Sequence, residues 1–197
     1  FGSKNAGGTN AGRLWGKKAG LAVMIVDITK AALSIWTVYL LINLTGLANA
    51  VSLWRGGMTY YYLASLGATL GHCWPLYANF RGGKAVSALA GMVVATSWFL
   101  SIFGMVFFVI LKNKKFVSLS SIIASSTVVL AALAMFLTDY FVPGSFNFGM
   151  WGNGTLFLVG WDYFATILII TIILIFRHHE NIKRLARNEE NKVRWIK

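Results

Sequence analysis

The stretch "VSALAGMVVATSWFLSIFGMVFFVIL", residues 86–111, is an unbroken apolar run whose path decides the architecture of the chain. A bilayer core about 30 Å thick is crossed by a helix of roughly 20 residues, so the run first reads as one span. The Lys and Arg around it oppose that reading, because cytoplasmic loops of membrane proteins carry the excess of basic residues. As a single span, 86–111 sets Arg81 and Lys84 on one side and Lys112, Lys114 and Lys115 on the other. The parity of the later runs then carries the basic tail, with Arg177, Lys183, Arg184 and Arg187, to the wrong side as well. A pair of short helices that turns near Thr96-Ser97 puts every basic cluster on one side. At ~1.5 Å per residue the run is only about 39 Å long, so each leg is short or partly re-entrant.

Four further apolar runs flank this one: Leu21–Leu47, Tyr60–Leu70, Leu119–Val142 and Leu156–Phe176. Five runs and one internal turn predict an all-α integral membrane protein, a polytopic bundle of about six helices. Segments 1–20, 71–84, 112–116 and 177–197 then share one face, the cytoplasmic one. The opposite loops are 48–59, which carries only Arg55, the turn near 96–97, and Pro143–Thr155, which has no Lys or Arg. Tyr60, Tyr61, Tyr62, Trp151 and Trp161 fit an aromatic belt at that far interface.

Composition agrees. The chain is 57% hydrophobic and 12% charged, against about 45–50% and about 25% in soluble domains. Eighteen basic residues face 6 acidic ones, for a net charge of +12. In a soluble protein that balance points to nucleic acid; here the cations punctuate apolar runs, which points to a membrane instead. The single cysteine, Cys73, excludes an intrachain disulfide.

Three polar segments on the predicted inner face carry unusual chemistry: "FGSKNAGGTNAGRLWGKKAG" (1–20), "GHCWPLYANFRGGKA" (71–85) and "FRHHENIKRLARNEENK" (176–192). Glycine frees the backbone to aim N–H groups at an anion. Arg and Lys neutralise charge, and helix N-termini add to both effects. Three such segments point to phosphate, and to more than one phosphate. The candidate phosphate or substrate contacts are Asn5, Gly7, Gly8, Thr9, Asn10, Lys17, His72, Gly82, Gly83, Lys84, Arg177 and Lys183. Ser3, Arg13, His178 and Asn181 are the candidates for orienting substrate or moving a proton. His178 and Asn181, three apart, share a helix face. His178 and His179 point about 100° apart on a helix, and His72-Cys73 has no partner at zinc-like spacing, so no metal is expected. Asp27 and Lys30 sit at i and i+3 inside an apolar run. They read either as a mutually neutralised pair or as a carboxylate that steers Arg13 or a lysine of the site.

The three segments together resemble the motifs of the bacterial membrane acyltransferases that acylate glycerol 3-phosphate from acyl phosphate, the PlsY family. The first is similar to G-S-G-N-x-G-A-T-N followed by Arg and G-K, matched by Gly2-Ser3-Lys4-Asn5-Ala6-Gly7-Gly8-Thr9-Asn10, Arg13 and Gly16-Lys17. The second is similar to G-H-x-x-P-x-F-x-x-F-K-G-G-K-G, matched by Gly71-His72, Pro75, Tyr77 and Phe80-Arg81-Gly82-Gly83-Lys84-Ala85. The third is similar to R-H-x-x-N-I-K-R-L-x-x-G-x-E-x-K, matched by Arg177-His178, Asn181-Ile182-Lys183-Arg184-Leu185, Asn188, Glu190 and Lys192. Lys4, Gly8, Ala85 and Asn188 depart from the pattern.

The resemblance implies attack of the 1-hydroxyl of glycerol 3-phosphate on acyl phosphate at the cytoplasmic face of a bacterial inner membrane. The acyl tail would lie among the helices, lysophosphatidic acid and inorganic phosphate would be the products, and no cofactor would be needed. It also implies one helix before the first motif, a seventh, which this chain lacks; 1–197 is then a single acyltransferase domain. Expected partners are the two substrates and membrane lipid, without nucleic acid, and a monomer is favoured. A transporter of phosphate or a small organic anion is the alternative, though no inverted repeat is visible. A metal-dependent phosphotransferase of the CDP-alcohol type needs clustered aspartates, and the three Asp here are far apart.

Overall fold

The computed structural model describes residues 5–47, 58–152 and 154–193, and every described regular element is helical. The helices are α1 Gly8–Trp15, α2 Lys17–Leu44, α3 Met58–Cys73, α4 Val86–Thr96, α5 Trp98–Gly104, α6 Val106–Lys114, α7 Val117–Phe141, α8 Trp161–Arg177 and α9 His179–Ala186. Two 3₁₀ turns, Leu76–Ala78 and Asn147–Gly149, sit in the connections. Among the described residues α2 and α7 are each long and apolar enough to cross a membrane, and α8 with α9, bent by 57°, makes a third candidate span.

The all-helical class is the expected one; the helix count is higher than six, for local reasons. The return leg of the 86–114 hairpin is divided at Met105 into α5 and α6. The polar flanks of the first and last runs form their own short helices, α1 and α9. Gly16, at φ 88, supplies the turn between α1 and α2, a conformation that favours glycine.

The break predicted near Thr96-Ser97 is present. Ser97 is extended, at φ −144 and ψ 116, between α4 and α5. With 11 residues α4 rises only about 16 Å, roughly half a bilayer core. The backbone groups freed by the break are met by the loop from 143 to 160, which dips to reach them. Ser97 Oγ donates to the Gly149 carbonyl at 2.7 Å and accepts from Leu100 N–H at 3.2 Å. Trp98 Nε1 donates to Phe148 O at 2.8 Å, and Trp151 donates from N to Thr96 O at 3.1 Å and from Nε1 to Val94 O at 2.7 Å. Gly149, Met150, Phe157 and Val159 are accordingly buried although they lie between helices.

The other end gathers the basic segments. Val193 N–H bonds Lys115 O at 2.8 Å, Ser118 Oγ donates to Glu190 Oε1 at 3.0 Å, and Arg177 reaches the 82–83 carbonyls. α1 lies on α2 so closely that a Cβ on Gly8 would meet the Gly20 carbonyl oxygen at 2.6 Å. α4 is central, packed on α2, α3, α5 and α8. The core holds Ile35, Tyr62, Met92, Tyr163 and Ile167, while Leu33, Leu40, Ile102, Leu130 and Ile172 face outward. An apolar exterior of this kind is stable against lipid. The 48–59 loop, with Arg55, falls almost wholly outside the described residues.

Candidate active site

At the basic end the chain closes around a polar cavity of about 120 Å³. One wall is α1 and the turn before it: Asn5, Gly7, Gly8, Thr9, Asn10 and Arg13. Asp27 of α2, His72 at the end of α3 and Lys84 before α4 form the floor and flank. Ser118 and Ser121 of α7 and the group His178, Asn181, Arg184 and Glu190 complete it. Met24, Val86, Ser87, Phe107 and Ser121 also line a second cavity, an apolar groove of about 230 Å³. That groove runs between α2, α4, α5, α6 and α7 past Ile28, Leu89, Val93, Met105, Phe108 and Val128. A charged chamber therefore opens directly into an oily one.

One network fixes the chamber's polar groups. Lys84 Nζ donates to Asn181 Oδ1. Asn181 Nδ2 donates to Glu190 Oε1 at 2.9 Å, and Arg184 Nε donates to Glu190 Oε2 at 2.8 Å. The Arg184, Asn181 and Ser118 bonds hold the Glu190 carboxyl below its ordinary value against the opposing effect of burial. Burial, with Arg184 close by, pushes Lys84 down to about 8 although Glu190 pulls the other way. His178, one residue beyond α8, is buried and bonds the Leu174 carbonyl through Nδ1 at 2.8 Å. A carbonyl only accepts, so Nδ1 carries a proton. Burial brings His178 down to about 4, which leaves Nε2 as an acceptor at neutral pH.

Ten of the expected residues meet at this cavity: Asn5, Gly7, Gly8, Thr9, Asn10, Arg13, His72, Lys84, His178 and Asn181. Ser3 and Lys4 lie outside the described residues. Lys17 is exposed away from the cavity, and Lys183 is an exposed partner of Glu180 at 3.1 Å. Gly82 and Gly83 were expected to offer N–H groups to phosphate. Their N–H groups are instead bonded to Cys73 O at 3.2 Å and His72 O at 2.9 Å. Their carbonyls accept from Arg177, Nη2 to Gly82 and Nε to Gly83, each at 3.0 Å. Arg177 also stacks over Trp74, 5.6 Å from the ring centroid. The glycine pair and Arg177 thus form a brace behind the cavity. Glycine is required there for close approach: a Cβ on Gly83 would sit 1.9 Å from His72 Nε2.

Glu190, Arg184, Ser118 and Ser121 were not expected in the cavity. Glu190 carried a signal, as an acid retained in a strongly basic tail. The serines recur along α7 in a way that also fits helix hydroxyls bonded to their own backbone, as Ser121 is to Val117 O at 2.8 Å.

A helical fold with apolar helices of membrane-spanning length, whose cation-lined polar chamber opens into an apolar groove, has the form of an integral membrane enzyme of lipid metabolism. Residues 1–188 match the family model described as glycerol-3-phosphate acyltransferase. The glycerol-3-phosphate acyltransferase of Staphylococcus aureus (strain Newman) is 34% identical over 198 residues, covering 100% of this chain and 84% of that protein. The structure is similar to the crystal structure of PlsY (YgiH), an integral membrane glycerol 3-phosphate acyltransferase, in its glycerol 3-phosphate form. There the TM-score is 0.72 at 26% identity, with 98% of this chain and 80% of that one covered. The lysophosphatidic acid form of PlsY aligns with a TM-score of 0.69 at 25% identity over 94% of this chain and 78% of that one. The chain belongs to the glycerol-3-phosphate acyltransferase family, and it is an integral membrane acyltransferase.

Proposed function

We propose that the protein transfers a fatty acyl group from acyl phosphate to the 1-hydroxyl of glycerol 3-phosphate, yielding lysophosphatidic acid and inorganic phosphate. The observation that carries this reading is the shared wall of the two cavities, Met24, Val86, Ser87, Phe107 and Ser121, where polar chamber meets apolar groove. An acyl phosphate laid across that wall has its chain in oil and its phosphate among cations. Arg13 and Lys84 hold phosphoryl oxygens. Asn181 and His178 meet the glycerol hydroxyls, with His178 Nε2 as an acceptor.

The hydroxyl oxygen bonds to the acyl carbon, and the bond from that carbon to the phosphate oxygen breaks. An imidazole whose pKa is brought down to about 4 is a weak base; the departing inorganic phosphate is a stronger one, more basic even than a phosphate monoester with its second pKa of about 6, so the proton leaves with phosphate. His178 then orients the hydroxyl. The anhydride is already activated, so the protein supplies alignment and charge neutralisation.

The basic end faces the cytoplasm of a bacterial inner membrane, a reading supported by the clustering of Lys and Arg there. Purified chain in liposomes, given acyl phosphate and glycerol 3-phosphate, should release phosphate in step with lysophosphatidic acid, with or without chelator. Glycerol 3-phosphate crossing the bilayer without acyl transfer would favour a transporter and overturn the reading.

A further inference from the structure

Asp27 and Lys30 are charged groups one turn apart in the apolar α2, and the roles above leave both unused. Charge in a membrane helix is costly unless paired. Lys30 Nζ lies 2.5 Å from Asp27 Oδ1, which satisfies that need. Mutual neutralisation does not account for a third partner. The same ammonium is 3.0 Å from Nδ1 of His72, on α3, and Asp27 Oδ1 is 3.5 Å from that nitrogen. His72 and Asp27 both line the polar cavity.

An ammonium donates and cannot accept. In its contact with Lys30, Nδ1 of His72 is therefore the acceptor, and the ring proton resides on Nε2. Nε2 lies beside the Gly83 α-carbon, on the space a Cβ would fill, and has no hydrogen-bond partner among the described residues.

We infer that the Asp27–Lys30 pair is a positioning device that holds His72 as the Nε2–H tautomer, so that His72 meets the substrate phosphate or hydroxyl as a hydrogen-bond donor. Asp27 anchors Lys30, Lys30 occupies Nδ1, and the ring keeps its proton on Nε2, beside Gly83 at the cavity wall. The opposite tautomer would turn a lone pair toward an anion. His178 is wired the other way, its Nδ1–H spent on Leu174 O and its Nε2 left to accept. One cavity would then hold one donor imidazole and one acceptor imidazole, each set by the group behind it. The substrate contact rests on the function proposed above; the tautomer does not.

The test is nitrogen-15 NMR of the whole chain, labelled at its 3 histidines and held in nanodiscs without substrate, with His72 assigned by its absence in His72→Gln. The expected spectrum has a proton coupled to Nε2 of His72 and none on Nδ1. Lys30→Met leaves Asp27 as the charged neighbour of Nδ1, and a carboxylate accepts, so the proton should move to Nδ1. With it, kcat/KM for glycerol 3-phosphate should fall by about tenfold, as for a lost hydrogen bond to a charged group. Lys30→Arg keeps a donor and should restore both tautomer and rate. A wild-type His72 protonated on Nδ1, or a Lys30→Met protein still protonated on Nε2, would overturn the inference. If Lys30→Met does not fold, the wild-type spectrum alone decides. Absence of phosphate release with the expected tautomer present would count against the proposed reaction and not against the wiring of His72.

Discussion

Asn181 donates from Nδ2 to Glu190 Oε1 at 2.9 Å, and this contact decides which end of the amide faces Lys84. A carboxylate only accepts, so the Asn181 carbonyl is left to receive the ammonium. The tail around Glu190 is thereby part of the site's construction. Glu190→Ala strands Arg184, Ser118 and Asn181 at once. Each hydrogen bond to a charged group contributes about 1.5–3 kcal/mol. Thermal unfolding in detergent should show a clearly lower Tm for Glu190→Ala than for Glu189→Ala, because Glu189 is exposed.

Lys84 sets a pH dependence with a definite sign. The free protein holds this ammonium at about 8, so its positive charge is present below that pH and lost above it. kcat/KM for the phosphate substrate proposed to meet Lys84 should decline as pH rises through about 8, and Lys84→Arg should remain flat there, because Arg stays charged. Lys84→Ala should raise KM by about tenfold or more at pH 7, the loss of about 1.5–3 kcal/mol of interaction. Steady-state kinetics across pH 6–9.5 with each substrate varied in turn measures both.

The adjacent histidines should separate cleanly. His178 is buried at the cavity, whereas His179 is exposed beside Glu180 and bonds Phe176 O. His178→Ala should cost about a hundredfold in kcat, the scale of a displaced reacting group, because the hydroxyl it orients is no longer aligned. His179→Ala should change it by less than about twofold, as surface substitutions do.

Glycine substitutions test close approach against nest formation. A Cβ at Gly83 would collide with His72 at 1.9 Å, whereas one at Gly67 meets nothing within 4 Å. Gly83→Ala should displace His72 and raise KM for glycerol 3-phosphate. Gly67→Ala, inside α3, should raise stability slightly, by about 0.5–1 kcal/mol. Melting curves and KM on the two variants give the comparison.

The groove predicts chain selectivity. Ala124 and Val128 of α7 line it. Ala124→Phe should lower kcat/KM for long-chain acyl phosphates far more than for short ones, which a panel of donors measured on one preparation would reveal.

Much of this was legible in the residues, and the misses have physical causes. The turn at Ser97 is encoded less by its own neighbours than by the lysines at 112–115, because topology is a property of the whole chain. Arg13, Lys84, His178 and Asn181 announce themselves as polar groups beside glycine loops and on one helix face. Gly82-Gly83 misleads, since glycine serves equally where φ is positive and where another side chain comes close, and only the fold tells the two apart. Glu190 enters the cavity because residues 187–193 fold back until Val193 reaches Lys115. No local pattern encodes that return. Arg177 was assigned to phosphate by its charge, but the geometry gives it two carbonyls and a tryptophan face.

The shallow hairpin around Ser97 also has an order in time. Its exposed polar groups are satisfied by Gly149, 52 residues later in the chain, and by Phe148 and Trp151, 50 and 57 residues beyond their partners. During synthesis α4 and α5 emerge long before those residues exist. An unpaired carbonyl or hydroxyl cannot rest in hydrocarbon without a cost of several kcal/mol. The segment must therefore wait, in water or against the insertion machinery, until α7 and the loop after it have been made. A chain cut before residue 148 would hold its first helices in the bilayer and leave this hairpin unseated, so the chamber that Lys84 and Val86 help to wall is among the last parts of the molecule to form.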